Sequence, residues 1–136
     1  MPETKKVVIV VSEGTFDKAM MAMMMGNTAA SMGMDVHIFH TFFGLSLLKK
    51  TARPKLPGMM RLFTGMFIKK MKKVGVEDYQ AQIKMAQELG VHLYACSTTM
   101  ELMGIKTEDM FDGVKVLGAA AFLGIATDAD TSLFIG

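Results

Sequence analysis

The chain predicts an α/β fold: a three-layer α/β/α sandwich built on a mostly parallel five-stranded sheet. Three observations carry this expectation. The first apolar run, KKVVIVVS at 5–12, is β-branched and lacks polar alternation, as in a strand covered on both faces. Helix-like stretches separate the strand-like runs, and glycine closes several of them. Strands that alternate with helices in this order favour parallel pairing through crossover connections.

The elements follow in order. Residues 5–12 (KKVVIVVS) read as the first strand, and 12–15 (SEGT) as a strand-to-helix turn. Residues 16–32 read as a helix with Asp17 near its start and Gly33 just past its end. Its middle, AMMAMMMGNTAAS, is apolar nearly all round, whereas a surface helix keeps a polar face. One side is therefore expected on the sheet and the other on a second subunit. Residues 34–41 (MDVHIFHT) form a second strand, closed by 42–45. Pro54, Pro57 and Gly58 break the next stretch, and 59–73 (MMRLFTGMFIKKMKK) can form a basic amphipathic helix ended by Gly75. Residues 77–89 are a clearer helix, with acids at the start and Gly90 as the stop. A third strand, 91–95 (VHLYA), leads into Cys96. A short helix opens near Thr98, where Thr98 and Glu101 have the spacing of a capping box. A helical turn near 107–110, a strand at 114–117, a helix at 118–126 and a closing strand at 131–135 complete the chain.

The totals agree with one domain over residues 1–136, with a basic insertion at about 46–75. Hydrophobic residues make up 51% and charged residues 21%, enough for a packed core. MPETKK runs straight into VVIVVS, an apolar stretch too short for a signal peptide or a membrane span. A cytoplasmic location is the expectation. The single cysteine excludes an internal disulfide and a cysteine-based zinc cluster within one chain. The chain has 16 methionines and no tryptophan, a composition of adaptable cores or contact surfaces. The net charge of +2 hides an asymmetry. Nine of the 15 Lys and Arg residues fall between Lys49 and Lys73, where there is no acid, while the rest of the chain holds all 13 acids.

In open parallel sheets, ligand chemistry collects at the carboxyl ends of the strands. Three turns qualify: 12–15, 40–44 and 96–99. Cys96 is the sharpest candidate, because it ends a buried strand where a helix begins. Backbone N–H groups and the helix dipole there favour thiolate over thiol. Ser97, Thr98 and Thr99 add hydroxyls. Such a thiolate is suited to attack a sulfane sulfur or carry a persulfide; the alternative is a packed, inert cysteine. His40, near the end of its strand, is a candidate proton acceptor. Ser12, Glu13, Gly14 and Phe42 complete the expected pocket lining. The turn at 12–14 can offer backbone donors, but it lacks a nucleotide-binding fingerprint. No cofactor motif is present. His37 and His40 lie on opposite strand faces, so the spacing of the three histidines recommends no metal site. The basic segment suits a solvated lid, an acidic protein partner or an anionic membrane surface better than nucleic acid, because its aromatics are few.

Four stretches, KKVVIVVSEGTFDKA, MDVHIFHTFFGLSLL, VHLYACSTTMELMGI and GAAAFLGIATDADTSLFIG, resemble the DsrE/DsrF-like (DsrE/DsrF/DsrH-like) sulfur-trafficking family. The similarity covers almost the whole chain and is nearest to the branch often labelled peroxiredoxin-like. It implies a carrier or sulfurtransferase in which Cys96 takes up sulfane sulfur, with TusA-type carriers as partners and a trimer or hexamer as the assembly. The peroxiredoxin label itself fails a motif test. A peroxidatic cysteine sits in a Thr-x-x-Cys context beside an arginine, but Leu93 stands three residues before Cys96, and the only arginines are Arg53 and Arg61. The alternative to a carrier is a non-enzymatic oligomeric scaffold with a structural cysteine, held at a membrane surface through the basic segment.

Overall fold

A computed structural model describes residues 4–136; the first three residues of the expected domain lie outside the described ones. Five strands form one sheet: β1 (Lys6–Val11), β2 (Asp35–His40), β3 (His92–Cys96), β4 (Lys115–Leu117) and β5 (Thr131–Ile135). Their order is β4-β3-β2-β1-β5, and every neighbouring pair is parallel. The expected fold class holds, and the sheet is parallel throughout. Each strand reaches the next through a helix or a long crossover, which is how parallel pairing is made.

The two sheet faces are covered unequally. On one face Val7, Ile9, Val11, Val36, Ile38, Leu93 and Ala95 meet α1 (Phe16–Ser31) and α3 (Tyr79–Glu88) in the main core. The close approach of α1 has a local cause. A Cβ on Gly26 would lie 2.8 Å from Ile38 Cδ1, so glycine lets helix and sheet meet there. On the other face α5 (Ala119–Ala126) covers a smaller cluster of Val8, Phe39, Tyr94, Cys96 and Phe122. Phe39 and Phe122 stack there at 4.4 Å.

One flank of α1 is covered within the chain itself. That flank packs on α3 of the same chain, where buried Asn27 donates to the carbonyl and the side-chain oxygen of Gln82, both at 3.0 Å. Met21, Met24 and Met25 remain exposed beside Phe67 and Met71 of α2 (Thr64–Lys73). Residues 50–57 form neither helix nor strand, in keeping with the two prolines there, and short helices flank them. Residues Phe42–Leu48 form a 3-10 helix and Gly58–Phe63 another, before α2 begins. Buried Thr64 accepts from the Leu56 N–H at 3.0 Å and donates to the Arg61 carbonyl at 2.8 Å, which fastens the loop. Phe16 and Phe67 meet edge to face at 6.2 Å, tying α2 to α1. Among the described residues no helix is long and apolar enough to cross a membrane.

Candidate functional site

Cys96 is the last residue of β3 and the residue before α4 (Ser97–Met103). The strand is buried and the chain must turn at its end, so the side chain sits where the sheet stops supplying backbone partners. Helix α4 has seven residues, starts one residue earlier than the sequence suggests, and shows no capping bond from Thr98. The dipole of so short a helix is a weak source of activation.

The stronger source is a cluster of donors. Burial acts on Cys96 first and would raise its pKa. It is outweighed by the Thr99 hydroxyl and N–H, the Thr41 hydroxyl and the Thr98 N–H, which lie toward the sulfur and hold the thiol below its ordinary value. Thr41 follows β2 directly, one register step past the His40–Ala95 pair, so it stands beside Cys96 on the neighbouring strand. The Thr41 and Thr99 hydroxyl oxygens are 3.3 Å apart, and the Phe42 N–H donates to Thr99 Oγ1 at 3.1 Å. That last bond secures a strained turn, because Phe42 has φ 48°, a left-handed conformation uncommon for a bulky side chain. Gly44 then lets the turn pass under β1; a Cβ there would lie 2.3 Å from the Val11 carbonyl oxygen. The Cys96 residue is only 7% exposed and packs against the α5 cluster, so its reactive edge is the threonine side.

The other expected pocket residues divide into two groups. Ser97 is half-buried beside Gly118, Thr98 is exposed and acts through its N–H, and Phe42 is exposed at the turn. These three adjoin Cys96. Glu13 and Gly14 instead share a depression with Phe43, Ser46 and Met103, and Ser12 donates its N–H to Ile135 beyond β1. The 12–14 turn thus lies toward the β5 edge, with the end of β2 between it and Cys96.

The structure does not bring His40 to Cys96. His40 pairs with Ala95, and successive side chains point to opposite faces, so the imidazole enters the main core while Cys96 faces α5. It is fully buried, with no hydrogen-bond partner of good geometry at either ring nitrogen among the described residues. Burial pushes its pKa down to about 4, against weaker raising contacts with the backbone of Tyr94 and Ile38. A neutral core imidazole is a poor candidate for the expected proton acceptor.

Thr41 is the residue that sequence reasoning passed over. Its signal was faint: a hydroxyl at the carboxyl end of the strand next to Cys96, informative only once the strand order is known. A second polar group escaped too. His37 and His92 are register partners on the same face, and Asp35 stands beside both. The separation of His37 from His40 holds as expected, but two of the three histidines do converge.

Comparisons with known proteins agree with this architecture. The chain is 32% identical, over an alignment of 158 positions, to the sulfur carrier protein DsrE2 of Allochromatium vinosum, covering 98% of this chain and 99% of that protein. It is 36% identical over 157 residues to the uncharacterized protein YrkE of Bacillus subtilis, covering 98% of each. Among solved structures, the ychN protein of E. coli superposes with a TM-score of 0.66 at 15% identity, covering 98% of this chain and 100% of that one. A protein of unknown function from Methanobacterium thermoautotrophicum gives the same score and identity, covering 95% and 98%. These two likenesses concern the fold alone. The DsrE/DsrF/DrsH-like family model matches residues 3–59 and 55–134, and with the full-length relatives beside it the chain belongs to the DsrE/DsrF/DrsH-like family.

Proposed function

We propose that the protein is a sulfur carrier in which Cys96 holds sulfane sulfur as a persulfide and passes it to a partner thiol. The observation that carries this reading is Cys96 at the end of β3 beside the Thr41, Thr98 and Thr99 cluster, where the thiol is held below its ordinary pKa against the effect of burial. The Allochromatium vinosum relative, named a sulfur carrier, supports it. The Cys96 thiolate attacks the outer sulfur of a donor persulfide. A sulfur–sulfur bond forms to Cys96 as the donor's own sulfur–sulfur bond breaks, and the donor leaves as a thiolate that takes up a proton. The acceptor thiolate then attacks the outer sulfur and regenerates the Cys96 thiolate. One neutral sulfur atom moves in each step, with no net oxidation. The same donors that stabilise the thiolate suit the persulfide anion.

The exposed lysines of α2 supply a docking surface for an acidic carrier of the TusA type. Transfer to such a partner then slows as salt is raised. A trimer or hexamer, with the cytoplasm as its setting, belongs to the same reading.

Intact-mass measurement after incubation with polysulfide tests the proposal. The native protein gains the mass of one sulfur, a reductant removes it, and Cys96→Ala gains nothing. A gain that persists in Cys96→Ala ends the idea. The tight packing of Cys96 favours one rival, a scaffold whose cysteine is structural. That rival predicts alkylation of Cys96 only at the rate of unfolding, whereas the carrier predicts alkylation of the native fold.

A further inference from the structure

The sheet face that carries Cys96 has polar chemistry at its other end as well. His37 of β2 and His92 of β3 are opposed in register, their rings stacked 4.4 Å apart and 12° from parallel. Asp35, two residues before His37, points to the same face. Its carboxylate spans both rings, with one oxygen 2.8 Å from His37 Nε2 and the other 3.2 Å from His92 Nε2. The three side chains each present one donor atom, all within 4.8 Å of one another.

We propose that Asp35, His37 and His92 form a binding site for a divalent transition-metal ion of the zinc class. The donor set is right: two imidazole nitrogens and a carboxylate oxygen select zinc, cobalt, nickel or copper over magnesium and calcium, which take oxygen ligands. The spacing is right as well. Bonds of about 2.0–2.1 Å in tetrahedral array put ligand atoms about 3.4 Å apart, close to the separations already present.

The surroundings supply what a metal site needs beyond its ligands. The Tyr94 hydroxyl lies 2.7 Å from His37 Nδ1. A hydroxyl both donates and accepts, so it holds the ring in place with the proton on either nitrogen, and it receives the Nδ1–H when Nε2 binds metal. Lys6, the register partner of Asp35 on β1, is turned to Asp128 at 2.6 Å and to the Ile125 carbonyl at 3.0 Å. It does not take the Asp35 carboxylate. The His37 side chain is 10% exposed and anchored, while those of Asp35 and His92 are 39% and 40% exposed. The ion thus has an open approach and a fourth position facing solvent.

The site is separate from the thiol. His92 precedes Cys96 by four residues of one strand, about 13 Å at the usual rise, so no single ion bridges them. The two sites occupy opposite ends of β3, and neither proposal rests on the other.

Equilibrium dialysis and visible spectroscopy with cobalt(II), in the whole protein carrying Cys96→Ala, test the site without thiolate ligation. One ion per chain and a tetrahedral cobalt spectrum are expected. His92→Ala and Asp35→Asn are partly exposed changes that leave the fold intact, as circular dichroism would verify. Each is expected to weaken binding by about 100-fold or more, beyond the 10–100-fold that loss of an outer partner costs. Tyr94→Phe is expected to weaken it by about tenfold while retaining the spectrum. Absence of binding in the Cys96→Ala protein overturns the proposal. So does binding that survives both His92→Ala and Asp35→Asn.

Discussion

The two faces of the sheet differ in what they are built to do. The face under α1 and α3 is closed and apolar, with His40 as its one buried imidazole. The face under α5 is only partly covered, and it carries Cys96 at one end and the Asp35, His37 and His92 group at the other. Both faces come from the same five strands, residue by alternate residue. The comparison teaches that stability and chemistry are divided by strand parity here: one set of side chains holds the fold and the other is free to carry reactive groups.

The largest test of that division is truncation in the closed face. Ile38 is fully buried against Gly26 of α1, so little can collapse into its place. Ile38→Ala is expected to cost about 4 kcal/mol by denaturant titration. The alkylation rate of Cys96 in the folded protein should stay unchanged.

The next effect is a pH dependence from the same face. His40 is neutral in the folded state, with a pKa near 4 against 6.5 for the free side chain. Between these values the unfolded chain binds a proton that the folded chain does not, so stability rises with pH. Its contribution is complete above about 6.5, declines as pH falls toward 4, and falls no further below. The span corresponds to about 3 kcal/mol. His40→Leu should flatten the dependence of the urea midpoint over this window and leave persulfide loading of Cys96 intact. Loss of loading in a folded His40→Leu protein would mean that the two faces communicate.

A smaller effect belongs to the reactive face. Thr99→Val removes a hydroxyl that lowers the Cys96 pKa and accepts from the Phe42 N–H. A hydrogen bond to a charged group is worth about 1.5–3 kcal/mol. Alkylation of Cys96 near neutral pH should slow by about tenfold, with Thr99→Ser restoring most of the rate. An unchanged rate would remove the threonine cluster as the cause of activation. The smallest effect is expected at Phe134, which is 79% exposed on the same face. Phe134→Ser should change stability by no more than about 0.5 kcal/mol. A large loss at the protein concentrations of assembly, absent on dilution, would show that a second copy covers it.

Much of the fold was legible because its signals are local. Residues 7–11 announced a buried strand by their uninterrupted apolar run, and glycines 33, 75 and 90 adopt the positive φ values that end a helix. Asp78 serves as the N-cap of α3, accepting from the Ala81 N–H at 3.0 Å, in keeping with the acids seen at its start. Cys96 at the end of β3 was equally plain. The apolar girth of α1 left its cover open, because the length and polarity of a helix do not reveal whether its own chain returns to cover part of it. The returning helix α3 does so here through Asn27 and Gln82.

The sequence by itself determined where strands and helices lie, which stretch is cationic, and that one thiol stands at a strand end. Only the tertiary structure decided that Thr41 reaches that thiol, that His40 turns away from it, and that His37 meets His92. The reason is register. Local propensity sets each strand within a few residues, but the crossovers between them set which rungs align. A one-residue shift would exchange every inward and outward side chain.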